Sequence, residues 1–347
     1  MRALPVFALG FVALTHSAIA TEAAFSADGK TLYAISRTGD GLLAFEPGSV
    51  TPKPIPLPKA FGGEASQLLA DPQGLLVAAA GKLWQWNPTD PKTAPKLVAP
   101  LPASFQVFGL GRAEGEGVAG NLLISGWYSL DPQKPKPKNV DENASLFALK
   151  PGGKAFKPVF VRRLEHVTAC PTFSNGRMVF GGDHDLWEGG LDGEEEDMDF
   201  RAGTLWGHRT APLGMFNTDG ANGGGMGVRQ VVIAGDTVWA ALGGRHMGAL
   251  VSVPLEKKTA EQEHPELADA WKIQREQLAQ AKAVLLPVDG EDKPSDTIES
   301  VDALCVWSGP DGVWKLAFRA DSKTYWVLEK GWKEPQKIGA EPLPASE

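Results

Sequence analysis

Apolar runs of about five to seven residues recur along most of the chain, the length of an ordinary β-strand. Short polar turns separate them. Segments 23–48 (AAFSADGKTLYAISRTGDGLLAFEPG), 66–88 (SQLLADPQGLLVAAAGKLWQWNP), 168–193 (TACPTFSNGRMVFGGDHDLWEGGLDG), 229–255 (RQVVIAGDTVWAALGGRHMGALVSVPL) and 303–331 (ALCVWSGPDGVWKLAFRADSKTYWVLEKG) share one order. Each reads apolar strand, tight turn, apolar strand, polar turn, apolar strand. The first turns (ADGK, DPQG, SNGR, AGD, GPDG) carry the Gly, Asn, Asp and Pro that short hairpin connections need, because some turn positions require positive φ. A more disguised sixth copy spans 104–150, with SFQVFGLG, NLLISGWYSL and SLFALK separated by long loops.

Strands joined this way make antiparallel meanders, and meanders repeated about every 40 to 50 residues are the pattern of radial blades. The expected fold is all-β: a six-bladed β-propeller of four-stranded antiparallel sheets, with seven blades as the alternative count. The turn before the second strand, SADGKTLY at 26–33 and more loosely SGPDGVWKL at 308–316, resembles that of the WD40, YVTN and TolB-like propeller superfamily. That resemblance implies the fold and no particular activity. The sixth copy carries its own outer strand, which argues for a ring closed without a shared strand.

Insertions interrupt the pattern. Residues 131–143 (DPQKPKPKNVDEN) alternate Pro with Lys and predict an extended loop. Residues 259–281 lack Gly, begin with a Thr259 cap and Gln262 three positions on, and place Leu267, Ala270, Trp271, Leu278 and Ala281 on one helical face. They predict an amphipathic helix packed on the fifth blade, followed by an outer strand from Val284 to Val288. Trp recurs on third strands (Trp84 or Trp86, Trp187, Trp326) and second strands (Trp239, Trp314), a placement that favours packing between blades over stacking on sugar rings.

The first twenty residues form a separate unit. Arg2, an apolar run from Leu4 to Leu14 and the small-x-small site Ala18-Ile19-Ala20 make a cleavable signal peptide, so residues 21–347 are expected as one periplasmic or secreted domain. The run is shorter than the roughly twenty residues a membrane span needs, and no later segment approaches that length. The net charge of −8 becomes −9 when Arg2 leaves with the leader. Scattered Lys and Arg in an acidic chain argue against nucleic acid, which needs clustered cations. Cys170 and Cys305 lie in apolar runs, as buried thiols or as one bridge; repeat-equivalent strands in different blades favour thiols.

Candidate chemistry gathers in loops of the fourth and fifth copies. Asp183, His184 and Asp185 form one turn, and Arg245 and His246 occupy the equivalent turn of the next copy. His208 and Arg209 precede a Gly-rich stretch carrying Asn217, Asp219 and Asn222. Imidazole and carboxylate at such turns could bind a divalent metal or move protons, although the spacing is no known metal signature. The acidic run 192–199 (DGEEEDMD) would suit calcium, but it lacks the alternation that points several oxygens inward. The Gly-rich stretch has neither the preceding strand nor the following helix of a phosphate cradle.

Two functional classes stand. One is an exported, non-catalytic module that binds a protein or glycan through these loops. The other is a metal-assisted periplasmic hydrolase like the six-bladed lactonases, whose architecture this resembles and whose calcium ligands cannot be matched residue by residue here. The cofactor is otherwise open, and no nucleophile elbow, zinc helix or haem motif is present.

Overall fold

A computed structural model describes residues 22–90, 92–114, 119–128, 145–161, 167–174, 177–182, 185–192, 199–206, 227–243, 248–255, 282–284, 286 and 299–341. The first meander comprises β1 (Ala23–Phe25), β2 (Leu32–Ile35), β3 (Gly41–Phe45) and β4 (Lys53–Pro56), and the second β5 (Ala65–Asp71), β6 (Gly74–Ala79), β7 (Lys82–Trp86) and β8 (Lys96–Pro100). The third contains β9 (Phe105–Arg112), β10 (Leu122–Tyr128), β11 (Leu146–Leu149) and β12 (Lys157–Val161); the fourth β13 (Val167–Ser174), β14 (Arg177–Gly182), β15 (Asp185–Asp192) and β16 (Asp199–Trp206). The fifth has β17 (Gly227–Ala234), β18 (Thr237–Gly243), β19 (Gly248–Pro254) and β20 (Lys282–Ala283), and the last β21 (Val301–Ser308), β22 (Trp314–Ala320), β23 (Thr324–Glu329) and β24 (Gln336–Ala340).

The innermost strands β1, β5, β9, β13, β17 and β21 each touch the next, and β21 returns to β1. The chain is a β-propeller. Its core is divided among the gaps between successive meanders rather than gathered at one centre. Leu76, Phe105 and Phe147 fill the gap between the second and third meanders, and Val179, Val231 and Val251 the gap between the fourth and fifth. Each middle strand is therefore covered on both faces. That is why β2, β6 and β18 read as apolar runs rather than alternating patterns, while the outer β4 and β8 are largely exposed. Trp84, Trp86, Trp239 and Trp326 are buried in these gaps, the packing role their repetition suggests.

Strand pairing corrects the blade count. Six or seven separate blades give way to five sheets, because the third and fourth meanders join edge to edge. Their outer strands β12 and β16 pair in parallel, Phe160 opposite Asp199 and Val161 opposite Phe200. Two unsatisfied outer edges thereby satisfy each other. The outer strand of the fifth meander falls at Lys282–Ala283, just ahead of the expected Val284 start, and pairs with β19. The leader and the expected helix 259–281 lie outside the described residues. Among the described residues the helical segments are short 3-10 turns, Lys59–Phe61 and Pro310–Gly312.

Each sheet is built from its own part of the chain, so among the described residues no strand is shared between the two ends. Side chains close the ring instead. The SADGK turn, held by Ser26 donating to Asp28 Oδ1 at 2.6 Å and Gly29 N to Ser26 O at 2.8 Å, lies against the Trp307 ring. A methyl at Gly29 would meet that ring at 2.3 Å, and its φ of +67° also calls for glycine. Trp307 Nε1 donates to Ala27 O at 3.0 Å. Beneath this clamp Arg319 reaches Asp302 Oδ1 at 2.6 Å and Glu22 Oε2 at 2.5 Å, while Arg37 N donates to Glu341 Oε1 at 2.6 Å.

Burial pushes the Glu22 carboxyl up to about 7 from 4.5, outweighing Arg319, and Asp302 and Glu341 push the same way. The folded state thus prefers the proton. That contribution is complete below about 4.5 and is lost as pH rises through about 7. Wild-type melting temperature should fall between about pH 5 and 8, and Glu22→Gln should remove about 2 kcal/mol of that decline. Calorimetry across the window checks it; parallel pH profiles for the two proteins would refute the assignment.

Candidate functional site

The six inner strands surround a central cavity of about 200 Å³. Four antiparallel strands return the chain to the face where a meander began, so every inner strand starts on the same face. Near those starts the pairing slips: between Ala65 and Gln67 in β5, between Val228 and Gln230 in β17, and between Asp302 and Cys305 in β21. A bulge re-aims side chains that plain alternation would bury. Gln67 Nε2 donates to Val107 O of β9 at 3.2 Å, and Leu304 N of β21 donates to Gln230 Oε1 at 2.6 Å. These buried amides tie one inner strand to the next around the axis.

Charged groups on the cavity wall have different surroundings. Arg112, at the end of β9, meets Asp71 Oδ2 at 2.6 Å, and Asp71 Oδ1 accepts from Gln85 Nε2 at 2.7 Å. That cation is neutralised locally. Arg229, within the β17 bulge, is half-buried and donates from Nε to Gly243 O at 3.2 Å. No ion pair to Arg229 is found among the described residues, and burial pulls its pKa down. Phe108 lines the same cavity and packs edge-on against the half-exposed Trp127, ring centroids 4.2 Å apart.

No protein-family model matches the chain, and no curated protein matches it. Among solved structures it is similar to YCF48 from Cyanidioschyzon merolae, at 14% identity and TM-score 0.42, over 88% of this chain and 78% of that one. A protein described as functionally unknown from Desulfotomaculum acetoxidans is 12% identical at TM-score 0.43, with 91% and 84% covered. Aleuria aurantia lectin in complex with Fucalpha1-6GlcNAc is 11% identical at TM-score 0.49, with 94% and 96% covered. The fold assignment rests on the strand order and packing described above.

The sequence-based candidates Asp183, His184, His208, Arg209, Asn217, Asp219, Asn222, Arg245 and His246 lie outside the described residues. Asp185 opens β15 opposite Gly182. The strand ends flanking 183–184, 207–226 and 244–247 all belong to the face where the inner strands begin. Arg229 is absent from those candidates. An Arg beside Gln230 at the head of the apolar run VVIA was the signal that could have found it. Among the described residues no three His, Cys, Asp or Glu side chains gather as a metal site.

Both cysteines are free thiols. Cys170 Sγ is 3.7 Å from Leu123 O in the gap between the third and fourth meanders, where burial pushes its pKa up to about 12. Cys305 is buried in the gap between the last and first meanders, and burial raises its pKa too. They pack as small apolar groups in separate gaps.

Proposed function

We propose that the chain is an exported propeller acting as a non-catalytic binding module for a protein or glycan. The face on which its inner strands begin is the contact surface. The leader-like residues 1–20 support export to the periplasm or beyond. One observation carries the binding reading: a single cavity walled by every inner strand, with a cation lacking a carboxylate partner among the described residues near the starts of those strands. The strand ends flanking 183–184, 207–226 and 244–247 share that face, which supports a role for His184, Asn217 and His246.

The test is a glycan array and a cross-linking screen on the mature protein, repeated with a combined Arg245→Ala and His246→Ala variant of unchanged circular dichroism. Binding to a defined partner should weaken tenfold or more in the variant. Calcium-dependent lactone turnover without stable binding would replace this reading with the hydrolase. Recovery of an extracytoplasmic protein whose mass still includes residues 1–20 would refute cleavage of the leader.

A further inference from the structure

We infer that Arg229 is an oxyanion subsite inside the channel, taking the carboxylate or phosphate of a small acidic sugar. The inference rests on the binding reading above and names the chemistry of its ligand.

Position comes first. Arg229 sits where β17 slips register, between the buried Val228 and Gln230, and it lines the cavity. Nε is engaged by Gly243 O at 3.2 Å, and no partner for the terminal nitrogens is found among the described residues. A guanidinium presents a planar fork that matches two oxygens of a carboxylate or phosphate at once. Partial burial strengthens such a pair, because the competing water is fewer and the local dielectric lower.

The surroundings argue against a purely structural role. Arg112, the other arginine on the wall, is neutralised by Asp71 at 2.6 Å, so Asp71 is not a free counter-ion for Arg229. Glu114 follows the end of β9, on the opposite face from the start of β17. The chain as a whole carries −8 and repels anions, so a cation with no ion-pair partner among the described residues of the channel selects against that background field. A hydrogen bond to Gly243 O could be made by a neutral amide at lower desolvation cost.

Size and wall set the ligand. About 200 Å³ is below the roughly 300–1,000 Å³ of drug-sized sites, so one sugar-sized body enters rather than an extended chain. Phe108 supplies an apolar wall in the same cavity, suited to the CH face of a sugar ring.

The experiment uses calorimetric titration of the mature protein with glucuronate, glucose 6-phosphate and glucose, with chloride added to equalise ionic strength. Wild type should bind at least one acid tenfold or more tighter than glucose, and the two acids distinguish carboxylate from phosphate. Arg229→Gln keeps a donor for Gly243 O and removes the charge; it should lose tenfold or more for that acid with an unchanged melting temperature. Arg229→Lys, tested in parallel in case the glutamine variant fails to fold, should retain part of the preference. Glucose bound as tightly as its acids, equal affinities in wild type and Arg229→Gln, or no acid bound would each overturn the inference. If a neutral glycan or protein binds the face equally well in both proteins, the subsite falls and the binding reading survives. If nothing binds, both fall.

Discussion

Replacing Arg319 with Met should lower the unfolding free energy by about 3–5 kcal/mol, the usual cost of removing one partner from a buried ion pair. Arg319 is 8% exposed at its side chain and Asp302 6%, so water is poorly placed to take over the lost interactions. The same guanidinium reaches Glu22 at 2.5 Å, so one substitution strips two carboxyls belonging to opposite ends of the chain. Burial alone would lower the Arg319 pKa; Asp302, Tyr325 and Glu22 reverse that and raise it, which marks how strongly the site holds its cation. Because no shared strand closes the ring among the described residues, this cluster, the Trp307 clamp and the apolar gap around Phe45 and Tyr325 carry the closure there. Urea unfolding followed by tryptophan fluorescence measures the loss. The deficit should shrink under acid, where the abandoned carboxyls take up protons, and a loss below about 1 kcal/mol would mean that the cluster does not hold the ends together.

Gly126→Ala should cost about 3 kcal/mol or more, at the upper end of what overpacking does. A methyl on Gly126 would stand 1.8 Å from Gln106 O and 3.0 Å from the Phe105 ring. The first obstacle is backbone, which no rotamer change can clear. Gly126 N also donates to Ser145 O at 2.9 Å, and the pairing of β10 with β9 already slips between Ser125 and Gly126. Relief would have to come from separating β9 and β10. That would open the contacts among Phe105, Tyr128 and Phe147, whose centroids lie 4.8 to 6.3 Å apart. The same urea titration applies; a variant within about 1 kcal/mol of wild type would show that the strands yield more easily than the geometry allows.

Strand identity was readable because each inner and middle strand is an apolar run bounded by obligatory turn chemistry. SADGKTLY also revealed its hairpin, since Asp28 accepts from Ser26 Oγ and Lys30 N, and Ser26 Oγ from Thr31 N, local bonds that hold that turn before any distant contact forms. Its second use, as a seat for Trp307, was not readable, because that contact joins residues 280 positions apart. The merged sheet was equally hidden: two residue pairs between β12 and β16 leave no pattern in either strand. Among candidate site residues, His and acidic turns stand out by residue type alone. Arg229 does not, because its meaning depends on a bulge and on the absence of a counter-ion among the described residues.

The order of apolar runs and turns, by itself, determined an all-β chain of repeated meanders, because hydrogen-bonded hairpins and period-two side chains are local consequences of residue type. The tertiary structure alone decided that these meanders form five sheets, that Glu22, Asp302 and Arg319 lock the ends, and that Arg229 faces a cavity. Each of those is a relation between groups far apart in the chain, set by which surfaces bury one another rather than by any neighbour in sequence.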